Sequence, residues 1–253
     1  MSSESKRLEK EKNFHDQLVG EEGVARLATH KYYAVQKNAR TYYQSLIIQL
    51  CKGKKILEYG CGPGSGTQEW AKNGAFVTGI DISPQSIDKA QEQSKANNID
   101  ACFYVMNAEK TTFEDSQFDL IVGTSIIHHL ELKTCYQELH RLLTPTGKAV
   151  FLEPLGHNPF INLYRRLTPS MRTEDEHPLT RYELGELNRY FNHVEIKCFA
   201  LLTLLAVPFR RFFFFGILCR LLEAIDQVLF KVPYIKYWAW ITVIYVREPK
   251  KCD

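Results

Sequence analysis

The sequence predicts an α/β fold built on a mainly parallel sheet with helices on both faces. Three observations carry this. From Lys54 onward short β-type runs alternate with helical segments, which demands crossover connections. The first run, "KKILEYG", passes directly into the glycine-rich turn of "CGPGSGT", which opens a helix. Two further strand-like runs, "HVEIKCFA" and "AWITVIYVREP", close the chain.

In chain order, residues 1–50 read as two amphipathic helices, the second carrying "HKYYAVQKNARTYYQSLIIQL". Lys54–Gly60 is apolar and ends at glycine, the signature of a buried strand. "SGTQEWAKNG" follows as a short helix closed by Gly74. "AFVTGID" is the second strand, and Ser83 with Pro84 supplies an N-cap and first helical residue for the helix behind it. "ACFYVMNA", "FDLIVGTS" and "GKAVFLEP" are the third to fifth strands, with a helix over 130–143 before the fifth. Beyond Pro154 comes a stretch of polar and turn residues, then a helix near Arg181–Tyr190. No linker or composition break interrupts the 253 residues, so one domain is expected: N-terminal helices 1–50, a core 54–154, and a substrate-side region 155–253 with an insertion at 201–238.

Bulk properties narrow the partners. A formal charge of +3 with scattered basic residues speaks against a nucleic-acid groove. Seven cysteines without a close pair suggest neither a disulfide framework nor a metal site, and point to a reducing, cytoplasmic setting. The charged start, "MSSESKRLEKEKNFHDQ", lacks the apolar run of a secretory signal.

The glycine loop is the most informative motif. A strand, a bare turn and a helix N-terminus form a site for a polar ligand, because glycine lets the ligand approach the backbone. A dinucleotide fingerprint would need glycine at 65, where Ser65 stands; Gly60, Gly62 and Gly64 give G-x-G-x-G instead. No lysine follows, so a triphosphate cradle is not supported. Asp81, at the end of the second strand, stands where a carboxylate can accept hydrogen bonds from a ribose.

Together "ILEYGCGPGSGT", "VTGIDIS", "MNAEK", "FDLIVGTSIIHHL" and "CYQELHRLLTPTGKAVFLEP" resemble, in order and spacing, the class I S-adenosylmethionine-dependent methyltransferases, especially their quinone and small-molecule subgroup. The resemblance covers Lys54–Pro154; "PTG" at Pro145–Gly147 replaces the commoner Pro-Gly-Gly turn. It implies a Rossmann-like seven-stranded sheet with the last strand antiparallel, and S-adenosyl-L-methionine as cofactor. It further implies that Glu58, Gly60, Cys61, Gly62 and Gly64 line the methionine and ribose side, with Asp81 on the ribose hydroxyls and Ile82 on the adenine. Asn107 and Ala108 would meet the adenine edge, and Thr124 would lie near the methionine end.

Methyl transfer from a sulfonium chiefly needs alignment, exclusion of water and, for some acceptors, loss of a proton. His128 and His129, after the fourth strand, are candidate bases, as is His157 after the fifth; packed or loop histidines are the competing readings. Glu153 shares that sheet edge as a candidate substrate contact. "RTEDEH" is most simply a solvated loop. Tyr32 and Tyr33 are candidate closing residues, against the plainer reading of aromatic pairs that pack a helix; the family commonly covers its cofactor with an N-terminal helix.

The insertion holds six of the fifteen phenylalanines, with Arg210, Arg211, Arg220, Lys231 and Lys236 against Glu223 and Asp226. Arg210 and Arg211 split its apolar run into pieces of about 10 residues, short of a membrane span. Interleaved rings and cations suit a water–lipid interface. The alternatives are a helical cap over the substrate pocket or a contact between two copies of the chain. Either way the acceptor expected is a hydrophobic or amphiphilic small molecule.

Overall fold

The computed structural model describes residues 7–13, 16, 34–167 and 177–251. Its centre is a seven-stranded sheet: β1 Lys55–Tyr59, β2 Phe76–Asp81, β3 Ala101–Val105, β4 Phe118–Thr124, β5 Leu143–Pro154, β6 Phe191–Phe199 and β7 Ile241–Pro249, in the order β3-β2-β1-β4-β5-β7-β6. The pairs among β1 to β5 are parallel, while β7 runs antiparallel to both β5 and β6. The strand order reverses between β1 and β4, which creates a crevice outside their carboxyl ends.

Local sequence explains the pieces. In β1, Ile56, Leu57 and Tyr59 are wholly buried, as expected of a strand covered on both faces. Helix α1 (Lys37–Cys51) lays Ala39, Tyr43, Ile47 and Cys51 on one face of the sheet, where Trp70 of α2 (Ser65–Lys72) joins them. Helix α3 (Pro84–Ala96) begins as its sequence predicts, with the Ser83 hydroxyl accepting the Ser86 N–H. Helix α4 (Leu132–Leu142) buries Cys135, Tyr136, Leu139 and Leu142 on the opposite face. Its last turn carries Arg141, bonded to Glu138, Asp115 and the Phe113 carbonyl, which ties down the loop before β4.

Several boundaries depart from the sequence reading. Strand β3 stops at Val105, so Asn107 and Ala108 stand in the turn beyond it. The turn-rich stretch after Pro154 contains a helix, α5 (Pro159–Leu167), whose polar and basic residues disguised an amphipathic period. A shorter helix, α6 (Arg181–Glu186), opens with a capping box between Thr180 and Glu183. The insertion folds into a 3₁₀ segment at Leu202–Phe209, helix α7 (Phe215–Leu229) and a 3₁₀ turn at Ile235–Trp238. Val35, Ile161, Leu204, Ala206 and Val207 give it a small core of its own, shared with α5 and the approach to α1. Among the described residues no helix is long and apolar enough to cross a membrane.

Candidate active site at the carboxyl edge of the sheet

Gly60, Gly62 and Gly64 have φ values of 60°, 52° and 81°, a region that side chains with a Cβ rarely adopt. Space is a separate constraint. A Cβ on Gly60 would stand 2.9 Å from Ile126 Cδ1 and one on Gly64 3.0 Å from Ala90, whereas the same position on Gly62 is open. Gly62 is therefore needed for backbone shape and leaves its face clear for a ligand.

Two carboxylates hold this loop from below. Asp81 accepts the Gly62 N–H on Oδ2 and the Ser83 N–H on Oδ1, each at 2.9 Å. Glu58, opposite Gly79 in β2 and Val122 in β4, is buried under the first turn of α2 and accepts the Thr67 hydroxyl. Burial pushes its carboxyl up to about 7, against the pull of the Thr67 bonds. Cys61 turns away from the loop into a satellite core with Ile87, Ala90 and Phe103, and burial raises its thiol far above the ordinary range. Ile82 is half-buried after β2. Asn107 folds back locally, its Oδ1 accepting the Glu109 N–H at 2.9 Å, and Ala108 is buried beside it.

Across the crevice, Glu153 is fully buried at the end of β5. Its Oε1 accepts the N–H groups of Ile126 and Ile127, both at 2.9 Å, and its Oε2 lies 2.7 Å from His128 Nδ1. The His128 ring in turn lies 4.2 Å from that of His129, which is joined to the N-terminal segment. Thr124 ends β4 beside the hydroxyl of buried Tyr43, and the next residue, Ser125, has φ 54°, strain at the edge where ligands bind. His157 is placed otherwise: it is exposed, and its Nε2 accepts the Arg181 N–H at 3.2 Å, so it caps α6. Tyr32 and Tyr33 lie outside the described residues.

The N-terminal segment crosses this edge. Arg7 donates to both oxygens of Glu109, at 2.6 and 2.7 Å, and to the His129 carbonyl at 3.0 Å. Glu11 lies 3.4 Å from His129 Nδ1, and the Ser83 hydroxyl donates to Asp16 at 2.5 Å. Arg7, Glu11 and Asp16 thereby reach the turns after β2, β3 and β4. Glu109 and Arg7 were not singled out from sequence, since each takes its meaning from partners distant in the chain. Among the described residues no cluster of His, Cys, Asp or Glu could hold a metal ion.

A family model described as "Methyltransferase domain" matches residues 57–151, which hold the loop, Asp81, His128 and most of β5. Residues 57–151 thus form a methyltransferase domain similar to those of the class I S-adenosylmethionine-dependent methyltransferases. A ubiquinone biosynthesis O-methyltransferase of Coxiella burnetii is 31% identical over 101 residues, 40% of this chain and 43% of that protein. The chain thus spans less than half the length of this curated relative. Among solved structures, phosphoethanolamine N-methyltransferase 2 of Haemonchus contortus superposes with a TM-score of 0.61 over 83% of this chain and 53% of its own, at 16% identity. Geranyl diphosphate C-methyltransferase of Streptomyces coelicolor does so with 0.62 over 84% and 79%, at 15% identity. Likenesses this distant concern the fold.

The residues of this methyltransferase domain fit the family's cofactor. The loop from Gly60 to Thr67 contains no lysine or arginine, and the edge around it carries Glu58, Asp81, Glu109 and Glu153. Such a set of acceptors suits a ligand with hydroxyls, an amine and a sulfonium, and is wrong for phosphate.

Proposed function

We propose that this chain transfers a methyl group from S-adenosyl-L-methionine to a hydrophobic or amphiphilic small molecule, a lipid, quinone or polyketide-like compound, at a membrane surface. The observation that carries the cofactor half is Asp81 fastened to the open backbone of Gly62 at the point where the strand order reverses. Gly62 and Gly64 would receive the methionine and ribose, Asp81 the ribose hydroxyls, and Ile82 with Asn107 and Ala108 the adenine. When bound, the cofactor supplies a methyl group already activated by its sulfonium.

The chain's own part is alignment and proton handling. Glu153 is pinned by two backbone N–H groups and fixes the His128 ring through Nδ1. A proton on Nδ1 directed at Glu153 makes Nε2 the basic nitrogen, suited to take a proton from an acceptor hydroxyl or amine. His129 and the N-terminal segment close the edge against water.

The acceptor half rests on the insertion. Phe213, Leu221, Val228 and Tyr234 are more than half exposed, and Arg210, Arg211 and Lys231 lie at the surface among them. Rings and aliphatic chains beside cations suit an anionic bilayer. The curated relative named for ubiquinone biosynthesis supports a quinone within this class. A second reading, a natural-product O- or N-methyltransferase whose insertion is a pocket lid, is favoured by the small core under the 3₁₀ segment.

Incubation of the purified protein with labelled cofactor and a lipid extract tests the proposal. Label in an organic-phase product is expected; label only in water-soluble compounds would overturn the lipid acceptor. Flotation with anionic liposomes separates the two readings, since a pocket lid leaves the protein at the bottom of the gradient.

A further inference from the structure

A groove of about 650 Å³ lies between α1, the end of β6 and α7, and none of its walls comes from the glycine loop. Two cations face it. Lys197 Nζ sits 3.7 Å over the Tyr42 ring and 5.8 Å from that of Phe199, while Arg220 Nε donates to the Gly216 carbonyl at 3.3 Å. Among the described residues neither reaches a carboxylate at ion-pair distance.

The two acids in the walls are already engaged. Asp226 is buried and accepts three N–H groups, from Leu201, Leu202 and Thr203, and the Thr203 hydroxyl. Glu223 accepts the Asn38 amide, and burial raises its carboxyl. Both carboxylates turn their oxygens to these neutral donors and neither pairs with Lys197 or Arg220, whose N–H groups are left for a ligand, with Asn38, Thr41 and Ser45 of α1 as further polar groups.

Position along α7 says which ligand. Ile217, Leu221, Ile225 and Val228 recur every three or four residues and are all exposed, so they form one apolar stripe. The groove residues Arg220, Ala224 and Gln227 each precede a stripe residue, which places the groove on the adjoining face of the same helix. A cationic groove along the margin of an apolar stripe matches the step from headgroup to acyl chain in a lipid.

We propose that this groove binds the phosphate of an anionic membrane lipid between Lys197 and Arg220, while the α7 stripe lies in the acyl layer. The proposal rests on the reading above that the insertion meets a membrane. Bound in this way, a lipid would fix the depth and tilt of the methyltransferase on the bilayer.

The test uses the whole chain and vesicles of phosphatidylcholine with or without phosphatidylglycerol. The wild-type protein is expected to partition onto the anionic vesicles. Lys197→Gln/Arg220→Gln should lose about tenfold more affinity than the control pair Arg211→Gln/Lys231→Gln, which removes equal charge outside the groove. Equal losses would overturn the groove and leave membrane contact standing. Absence of wild-type binding to any vesicle would overturn both. Inorganic phosphate that displaces the protein at low millimolar concentration would show that the groove takes free phosphate instead of lipid. Calorimetry with S-adenosylhomocysteine, expected to be unchanged in both double variants, confirms that they fold and reads the cofactor site independently.

Discussion

Burial holds the Glu58 carboxyl at about 7, against an ordinary 4.5, so the folded chain keeps a proton there that the unfolded chain has lost. Stability from this group is complete below the unfolded value and fades as pH rises through 7, by roughly 3 kcal/mol in all. Glu58→Gln should flatten that slope in melting curves taken from pH 4.5 to 8; an unchanged slope would place the titration elsewhere. Asp81 holds the loop through the Gly62 and Ser83 N–H groups and is the proposed ribose contact, so Asp81→Ala is expected to weaken S-adenosylhomocysteine binding by about 1 to 3 kcal/mol. Equal affinity for the variant by calorimetry would remove Asp81 from the ribose. For His128, replacement by alanine should cut methyl transfer by about a hundredfold in single-turnover assays, with cofactor affinity kept; an unchanged rate would remove it from the reaction. At this scale the loop glycines and Asp81 were legible because spacing alone defines them. Glu109 was not, because its carboxylate takes its meaning from Arg7 and the Glu131 N–H, both distant in the chain, and no local pattern marks those pairings.

Helices and strands differ in how openly the sequence announces them. Strands β1 and β4 are buried runs bounded by turns, and α3 advertises its own cap, so all were readable; β5 starts at Leu143 directly after α4, four residues before the Gly147 start that its sequence suggests. Helix α5 was hidden: "PFINLYRRL" mixes turn formers and arginines, and only burial of Ile161 against the insertion shows which side faces in. The insertion's order likewise depends on one residue whose sequence context looks like surface charge. Asp226 gathers four donors from Leu201–Thr203 and so fastens α7 to the 3₁₀ segment. Asp226→Ala should cost roughly 3 to 5 kcal/mol locally, since buried donors lose their acceptor. Hydrogen exchange across residues 201–229 should accelerate while the sheet stays protected; uniform protection would show that the cap is dispensable.

Over the whole molecule, the N-terminal segment and the sheet edge are joined by contacts that span more than a hundred residues of chain, the Arg7 bonds above all. Arg7→Ala is expected to speed S-adenosylhomocysteine release about tenfold in stopped-flow measurements. An unchanged rate would mean that Arg7 does not help to cover the ligand. Such long-range closure is what a single sequence conveys least, whereas the layered α/β plan is conveyed well, because alternation of strand and helix is local. The junction of the insertion with the sheet has a different consequence. Trp240 N–H bonds Ala200 O at 2.9 Å, and Phe199 pairs with Ile241, so residues 201–239 leave and rejoin the sheet at one point. A turn of a few residues could close the same gap at about 2 kcal/mol less loop entropy. The strands would keep their register, provided that Val35 and Ile161, uncovered by the deletion, were made polar. The chain is therefore open to grafting at Ala200 and Trp240: on the proposed function, a segment from a relative could be exchanged there to change the acceptor, with the glycine loop and the sheet edge left in place.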